Sequence, residues 1–236
     1  MRINKFLAQS LGLSRRNAES LVVINEVKVN GEIAKLFTTV ENKDKVEYIE
    51  HGKWITLGSL SSARTVVMYK QIFCVTTRDD EVKRKTIYHF LPKSFLELKS
   101  AGRLDYMSEG LLVLSNDGDL IYNLTHPSNE SKKVYLVGIK GSFKLKEIEE
   151  MGKGIVIEKY NLNPVEVEKY EGDKFDYLRL QPSFNWYTFT LTEGRNNQIR
   201  KMTEYYGYTV QRLIRVEHGK YKLTAELYKK KWLEKN

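Results

Sequence analysis

The sequence predicts an α+β protein in which a small N-terminal α/β module, residues 1–60, precedes a larger domain, residues 61–236. The larger domain is expected to be a mixed, mostly antiparallel β-sheet flanked by helices and loops. Three observations carry this expectation. Residues 2–33 read as two short amphipathic helices followed by a hairpin. Residues 50–64, "EHGKWITLGSLSSAR", contain Gly and Ser without periodicity and read as a linker. Beyond them, strand-like segments outnumber helical ones and do not alternate with them regularly, which disfavours a doubly wound sheet.

In the first module, Ile3, Phe6, Leu7 and Leu11 recur at helical spacing, and Gly12 ends that helix. Ser14 caps the next, whose apolar face carries Ala18, Leu21 and Val22. Asn30-Gly31 is the two-residue turn signal between "VKV" and "EIA". After the linker, "RTVVMY", "IFCVTT", "GLLVLS", "KKVYLVGIK", "DYLRLQ", "WYTFTLT" and "GKYKLT" read as strands by their β-branched and aromatic content. The segments "DLIYNLTH", "SFKLKEIEEMG" and "RNNQIRKMTEYYG" have helical spacing; in the last, Ile199, Met202 and Tyr206 form a stripe that Gly207 stops. There is no internal repeat and no low-complexity tract.

With 236 residues, 41% hydrophobic and 29% charged, the chain is long and apolar enough to bury a core, which excludes a mainly disordered protein. The single cysteine, Cys74, makes neither an internal disulfide nor a zinc site, so a reducing compartment is expected. No apolar run approaches the ~18 residues of a membrane span, and charges stand early in "MRINKFLAQSLGLSRR", where a leader needs an apolar centre. A cytoplasmic location without a membrane partner is the expectation.

Net charge is +9, and residues 186–236 hold 11 Lys/Arg against 5 Asp/Glu, so +6 of the excess lies there. A solvated lysine-rich surface and a polyanionic partner both fit that excess; the 15 tyrosines favour RNA, whose bases stack on rings.

Asp105 poses the main chemical question, because it stands between Arg103 and Glu109 just before the uncharged run "LLVL". Arg15 and Arg16 fall in the first turn of the second helix, where positive charge opposes the helix dipole; a ligand phosphate explains that choice. Asn116-Asp117-Gly118-Asp119 lacks the spacing of a calcium loop and reads as a turn with a helix cap, so no metal is expected.

The stretch "RINKFLAQSLGLSRRNAESLVVINEVKVNGEI" resembles the small RNA-binding domain first known from a small-subunit ribosomal protein, which implies RNA contact through Lys5, Arg15, Arg16 and Asn17. The segments "GRLDYMSEGLLVLSNDG", "KVYLV" and "LTEGRNNQIRKM", in that order, resemble the ribosomal RNA pseudouridine synthases that carry such a domain. The resemblance implies isomerisation of a uridine within RNA: its nitrogen glycosidic bond breaks, the uracil turns, and a ring carbon rejoins the sugar. Such a reaction consumes nothing and implies no cofactor, in keeping with a sequence that has no Gly-rich phosphate loop.

By the same resemblance Asp105 is the catalytic carboxylate, acting either on the sugar's anomeric carbon or on a sugar proton. Arg200 is its cationic partner, offsetting the cost of enclosing the charge. Tyr135 stacks on the target uracil, and strand alternation puts it on one face with Lys133 and Val137. Arg103 fills the space of the extruded base or binds a phosphate. Lys133, Arg195, Gln198, Lys201 and Arg215 join Arg103 as RNA contacts in this larger domain, Leu213 walls the pocket, Ser108 fixes the turn by local hydrogen bonds, and His126 is structural or RNA-facing.

The implied partner is ribosomal RNA, more of the large subunit than the small, bound by a monomer; small-subunit RNA and tRNA are the alternative substrates. Two other classes compete: a non-catalytic RNA-binding assembly factor, and a hydrolase using Asp105 and Glu109 as an acid pair. Two departures from the family pattern stand out. Lys70-Gln71-Ile72-Phe73 replaces a Lys-Pro-x-Gly turn, and Asn197 occupies a position where arginine is common.

Overall fold

The structure is a computed structural model that describes residues 1–41, 43–58, 62–157 and 160–235. The chain divides into two compact units, Met1–Ala63 and Arg64–Asn236.

In the first unit, helices α1 (Ile3–Ser10) and α2 (Arg15–Val23) precede a four-stranded sheet of β1 (Val27–Val29), β2 (Glu32–Ile33), β3 (Val46–Glu50) and β4 (Lys53–Thr56), in the order β2-β1-β3-β4. The Ser14 hydroxyl accepts from the Asn17 N–H at 3.1 Å, satisfying one donor at the start of α2. Ile3, Phe6, Leu7, Ala18 and Val22 make the core with Val27 and Val46. Asn30 and Gly31 both take positive φ, +52° and +89°, as a tight hairpin turn requires. β4 corrects the expected linker: "KWIT" is β-branched and aromatic, and the turn at His51 and Gly52 returns it to β3. Residues 59–61 of that linker lie outside the described residues.

The second unit is built on a nine-stranded sheet. Its strands are β5 (Thr65–Lys70), β6 (Lys99–Ser100), β7 (Glu109–Ser115), β8 (Lys133–Ile139), β11 (Glu166–Lys169), β12 (Asn185–Leu191), β13 (Val210–His218), β14 (Tyr221–Lys222) and β15 (Trp232–Lys235); β9 (Val156–Ile157) and β10 (Tyr160–Asn161) pair separately. The order is β11-β12-β8-β13-β7-β5-β15, with β14 on β13 and β6 on β7. Every pairing is antiparallel except β13 with β7. Helices α3 (Gly118–Thr125), α4 (Leu145–Lys153), α5 (Gln198–Tyr205) and α6 (Ala225–Lys230) complete it.

The uncharged run of β7 is buried on both sides: Leu111 and Val113 pack with Leu136 and Ile214, while Leu112 and Leu114 pack with Met68 and Phe95. That two-sided burial is why the strand shows no alternation. Gly110 marks the parallel contact. Its φ is +110°, and a Cβ there would run into the backbone of Arg215.

Two expected strands are absent. "IFCVTT" makes a single bridge, Val75 to Thr86, because Phe73 turns the chain at φ +64°; Cys74 is buried against Val66, Met68, Leu112 and Leu114 on the face of the sheet without pairing into it. "DYLRLQ" holds a 3₁₀ turn at Asp176–Leu178 that stops at Arg179, φ +51°. Among the described residues no helix is long and apolar enough to cross a membrane.

Candidate active site

Asp105 sits in the tight turn that leads into β7. The Ser108 N–H donates to the Asp105 carbonyl at 3.0 Å. Beneath this turn lies Lys70, with no exposure to solvent, whose ammonium donates to the carbonyls of Asp105 (2.9 Å), Ser108 (2.7 Å) and Gln71 (3.1 Å). One buried cation therefore ties the end of β5 to the turn that presents Asp105. Burial pushes the Lys70 ammonium below its usual pKa, and the nearby Cys74 and Asp105 offset part of that. On the preceding side, the Thr76 hydroxyl donates to the Leu104 carbonyl at 2.8 Å. The altered Lys70–Phe73 sequence still forms a turn, with Phe73 in the left-handed conformation.

The Asp105 carboxylate is half-buried and, among the described residues, makes no hydrogen bond or ion pair. It lines a cleft of about 350 Å³ together with Arg103, Tyr135, Lys133, Leu213 and Arg215. Cross-strand register builds the wall: Tyr135 on β8 faces Arg215 on β13, and Lys133 faces His218. A bulge between Arg215 and Glu217 keeps these β13 side chains in step with β8.

The wall is cationic and dry. Arg215 is only 1% exposed; its Nε donates to the Leu111 carbonyl at 2.8 Å, and its Nη2 has no partner among the described residues. Lys133 donates to the Ser131 carbonyl at 2.8 Å, and burial, aided by Arg215, pushes its pKa down to about 8. Burial and then Arg215 push His218 down to about 3, so it is neutral; its Nε2 meets the Leu124 carbonyl at 2.9 Å and must carry the hydrogen. Two charged groups and one neutral ring thus flank the space beside Asp105 and Tyr135.

Arg200 lies on α5 outside the residues lining the cleft and forms no ion pair with Asp105. Its guanidinium donates to the Met107 carbonyl at 3.0 Å and the Val210 carbonyl at 3.3 Å. Burial lowers its pKa, and the Asp105 charge offsets part of that shift. Its bond to Met107 buttresses the Asp105 turn from the α5 side.

Gln198 and Arg195 belong to a loop organised by Glu193. Gln198 Nε2 and Arg195 Nε donate to the two Glu193 oxygens at 2.7 and 3.0 Å, and the Arg195 N–H donates to Gln198 Oε1 at 3.1 Å. Gln198 is buried in that network and Arg195 is exposed, and both border the cleft. Asn197 takes φ +54° just before α5, a conformation asparagine tolerates better than arginine. Lys201 lies on α5, away from the cleft lining. Arg103 is exposed at the cleft without a partner among the described residues. In the first unit Lys5 stands on α1, with exposed Arg15, Arg16 and Asn17 on α2 and no acidic residue in the first turn of that helix.

Several expectations need correction. Arg215, expected as an RNA contact, is buried and borders the cleft from its wall. Ser108 fixes the turn through its backbone, since its hydroxyl is buried without a partner. His126 is structural: it stacks on Tyr122 at 4.5 Å and accepts from the Ser128 N–H. Glu109 is not the second acid of a pair. It is buried, ion-paired with Arg212 at 2.5 Å and hydrogen-bonded by the Tyr69 hydroxyl, so both oxygens are occupied. The hydrolase reading falls with it.

Lys70, Glu193 and His218 escaped the sequence reading as site residues. Lys70 looks in the sequence like an ordinary charged end to its strand. Among the described residues no group of three His, Cys, Asp or Glu side chains is placed to hold a metal ion.

A family model described as RNA pseudouridylate synthase matches residues 64–205, which include the Asp105 turn, Tyr135 and all of α5. The chain belongs to that family. It is 33% identical over 225 residues to an uncharacterized RNA pseudouridine synthase of Rickettsia typhi, covering 94% of this chain and 86% of that one. It is 31% identical to the ribosomal large subunit pseudouridine synthase B of Yersinia pestis, covering 99% and 72%. A crystal structure of a pseudouridylate synthase superposes with a TM-score of 0.66 at 27% identity, covering 100% of this chain and 96% of that one. As an RNA pseudouridine synthase the chain is an isomerase.

Proposed function

We propose that this pseudouridine synthase acts on ribosomal RNA of the large subunit, with Asp105 as the reacting carboxylate and Tyr135 as the ring that stacks on the uracil. The observation that carries the assignment is the partnerless Asp105 carboxylate, held by its own backbone in a cleft walled by Tyr135 and two buried cations. A group positioned without being neutralised keeps its oxygens available for the sugar. In the net reaction the bond from the sugar to uracil nitrogen breaks and one to a ring carbon forms. The proton displaced from that carbon leaves, and the freed nitrogen gains one. Arg200 and Lys70 act as positioning residues, each bonded to backbone of the turn. The large-subunit preference follows the names of relatives such as the Yersinia pestis protein.

Affinity comes from Arg15 and Arg16 in the first unit and from the basic C-terminal part of the second; such binding weakens steeply with salt as counterions are released. The chain works as a monomer without a cofactor. Mapping pseudouridines in ribosomal RNA from cells with and without the protein tests the proposal. At least one large-subunit position should lose its pseudouridine, and an Asp105→Asn protein should not restore it. Restoration of every modified position by Asp105→Asn would instead leave a non-catalytic assembly factor.

A further inference from the structure

A second cleft, of about 470 Å³, shares Arg103, Leu104 and Asp105 with the first and is also lined by Tyr106. Next to it Phe73 packs edge-on against the Tyr106 ring, centroids 5.7 Å apart at 62°, and the Phe73 N–H donates to the Tyr106 carbonyl at 2.8 Å. The two rings are 54% and 37% exposed. Phe73 also holds φ +64°, a region bulky L-residues rarely adopt. Folding therefore gains little from a phenyl group here: the ring is not buried, and the backbone would be easier with glycine. A strained, outward aromatic at the edge of a reaction site calls for a ligand.

The chemistry of the surroundings narrows that ligand. Asp79, Asp80, Glu81 and Asp105 line the second cleft against two arginines, Arg103 and an Arg84 that Asp80 holds at 2.7 Å and that lies 5.8 Å from the Tyr106 ring centre, so carboxylates outnumber cations there and disfavour phosphate. An uncharged aromatic group suits it. Arg103, exposed and bordering both clefts, is placed for the phosphate that would link their occupants. We propose that Phe73 and Tyr106 form a stacking platform for the nucleobase adjacent to the target uridine. The proposal rests on the reading of the Asp105 cleft as the uridine site. Ring-on-base stacking is tolerant of sequence, so the platform steadies the strand beside the extruded nucleotide whichever base lies there.

The test uses the full chain carrying Asp105→Asn, so that binding is read without turnover, and a short single-stranded oligouridine with one 2-aminopurine next to a uridine. Stacking quenches the probe's emission. Quenching should persist with Phe73→Trp and disappear with Phe73→Gly and Phe73→Leu, with affinity reduced about fivefold or more in the last two, the lower end of what one stacked base contributes. The thermal midpoint of Phe73→Gly should stay level or rise, because the backbone strain is relieved, and this separates lost stacking from lost folding. Unchanged quenching and affinity in the Gly and Leu variants would overturn the platform. Pseudouridine formation by Asp105→Asn would overturn the underlying cleft assignment, even with quenching intact, so the two failures are distinguishable.

Discussion

Replacing Lys70 with Met keeps a side chain of similar length while removing an ammonium that serves three carbonyls at 2.7–3.1 Å. A hydrogen bond involving a charged group contributes about 1.5–3 kcal/mol, so the gross loss is about 5–9 kcal/mol. Most of that is returned, since the variant no longer buries a charge, and burial is already what depresses the Lys70 pKa. The expected net cost is about 2–4 kcal/mol of unfolding free energy, read as a lower urea midpoint.

The larger effect falls on the reaction. With the cation gone, the Asp105–Ser108 turn loses its link to β5, and a misplacement of about 1 Å at a reacting group costs about 100-fold in rate. Turnover is measured by release of tritium from uridine labelled at the ring carbon that rejoins the sugar, using ribosomal RNA from cells lacking the protein. The expected outcome is a kcat lower by about 100-fold with KM within about threefold, because the exposed RNA contacts are untouched. A folded Lys70→Met protein with normal kcat would refute the argument that this ammonium positions the carboxylate.

Three further outcomes follow from the site. Asp105→Asn should abolish pseudouridine formation and lower the unfolding free energy by no more than about 1 kcal/mol, since the carboxylate has no hydrogen bond or ion pair to lose and only its charge offsets part of the burial of Lys70 and Arg200; urea titration checks this. Gly110→Ala places a methyl group against the backbone of Arg215 at φ +110°, and should cost more than about 2 kcal/mol or prevent folding, as circular dichroism would record. Lys133 titrates near 8 in the folded protein against 10.5 unexposed to the fold, so between those values the unfolded chain binds more protons and stability rises with pH. Relative to Lys133→Met, the native protein should therefore gain up to about 3 kcal/mol between pH 7 and pH 10.5, followed by urea midpoints.

The local features were the most legible. The Asn30-Gly31 turn, the Ser14 cap and the run of β7 each follow from neighbours within a few residues, and Asp105 stood out as an acid placed before an uncharged strand. What stayed hidden depends on partners distant in the chain. Lys70 reads as an ordinary end to "VVMYK", and its importance appears only when residues 105 and 108 fold over it. Glu109 looked like a candidate acid until Arg212, 103 residues later, occupied it. Arg200 was expected to meet the carboxylate and instead holds Met107. "IFCVTT" has strand composition, yet Phe73 turns the chain and Cys74 packs on the face of the sheet instead of joining it. The edge strand β15, "WLEK", alternates over too few residues to declare itself.

The parallel joint between β7 and β13 places the Asp105 turn beside a strand that is synthesised about a hundred residues later. Parallel and long-range pairings form slowly, and chains emerge from the ribosome N-terminal end first. A growing chain can thus form the two helices of its first unit well before Arg215 and His218 exist to wall in the carboxylate. The cleft beside Asp105 is therefore complete only once the C-terminal third has been threaded into the sheet.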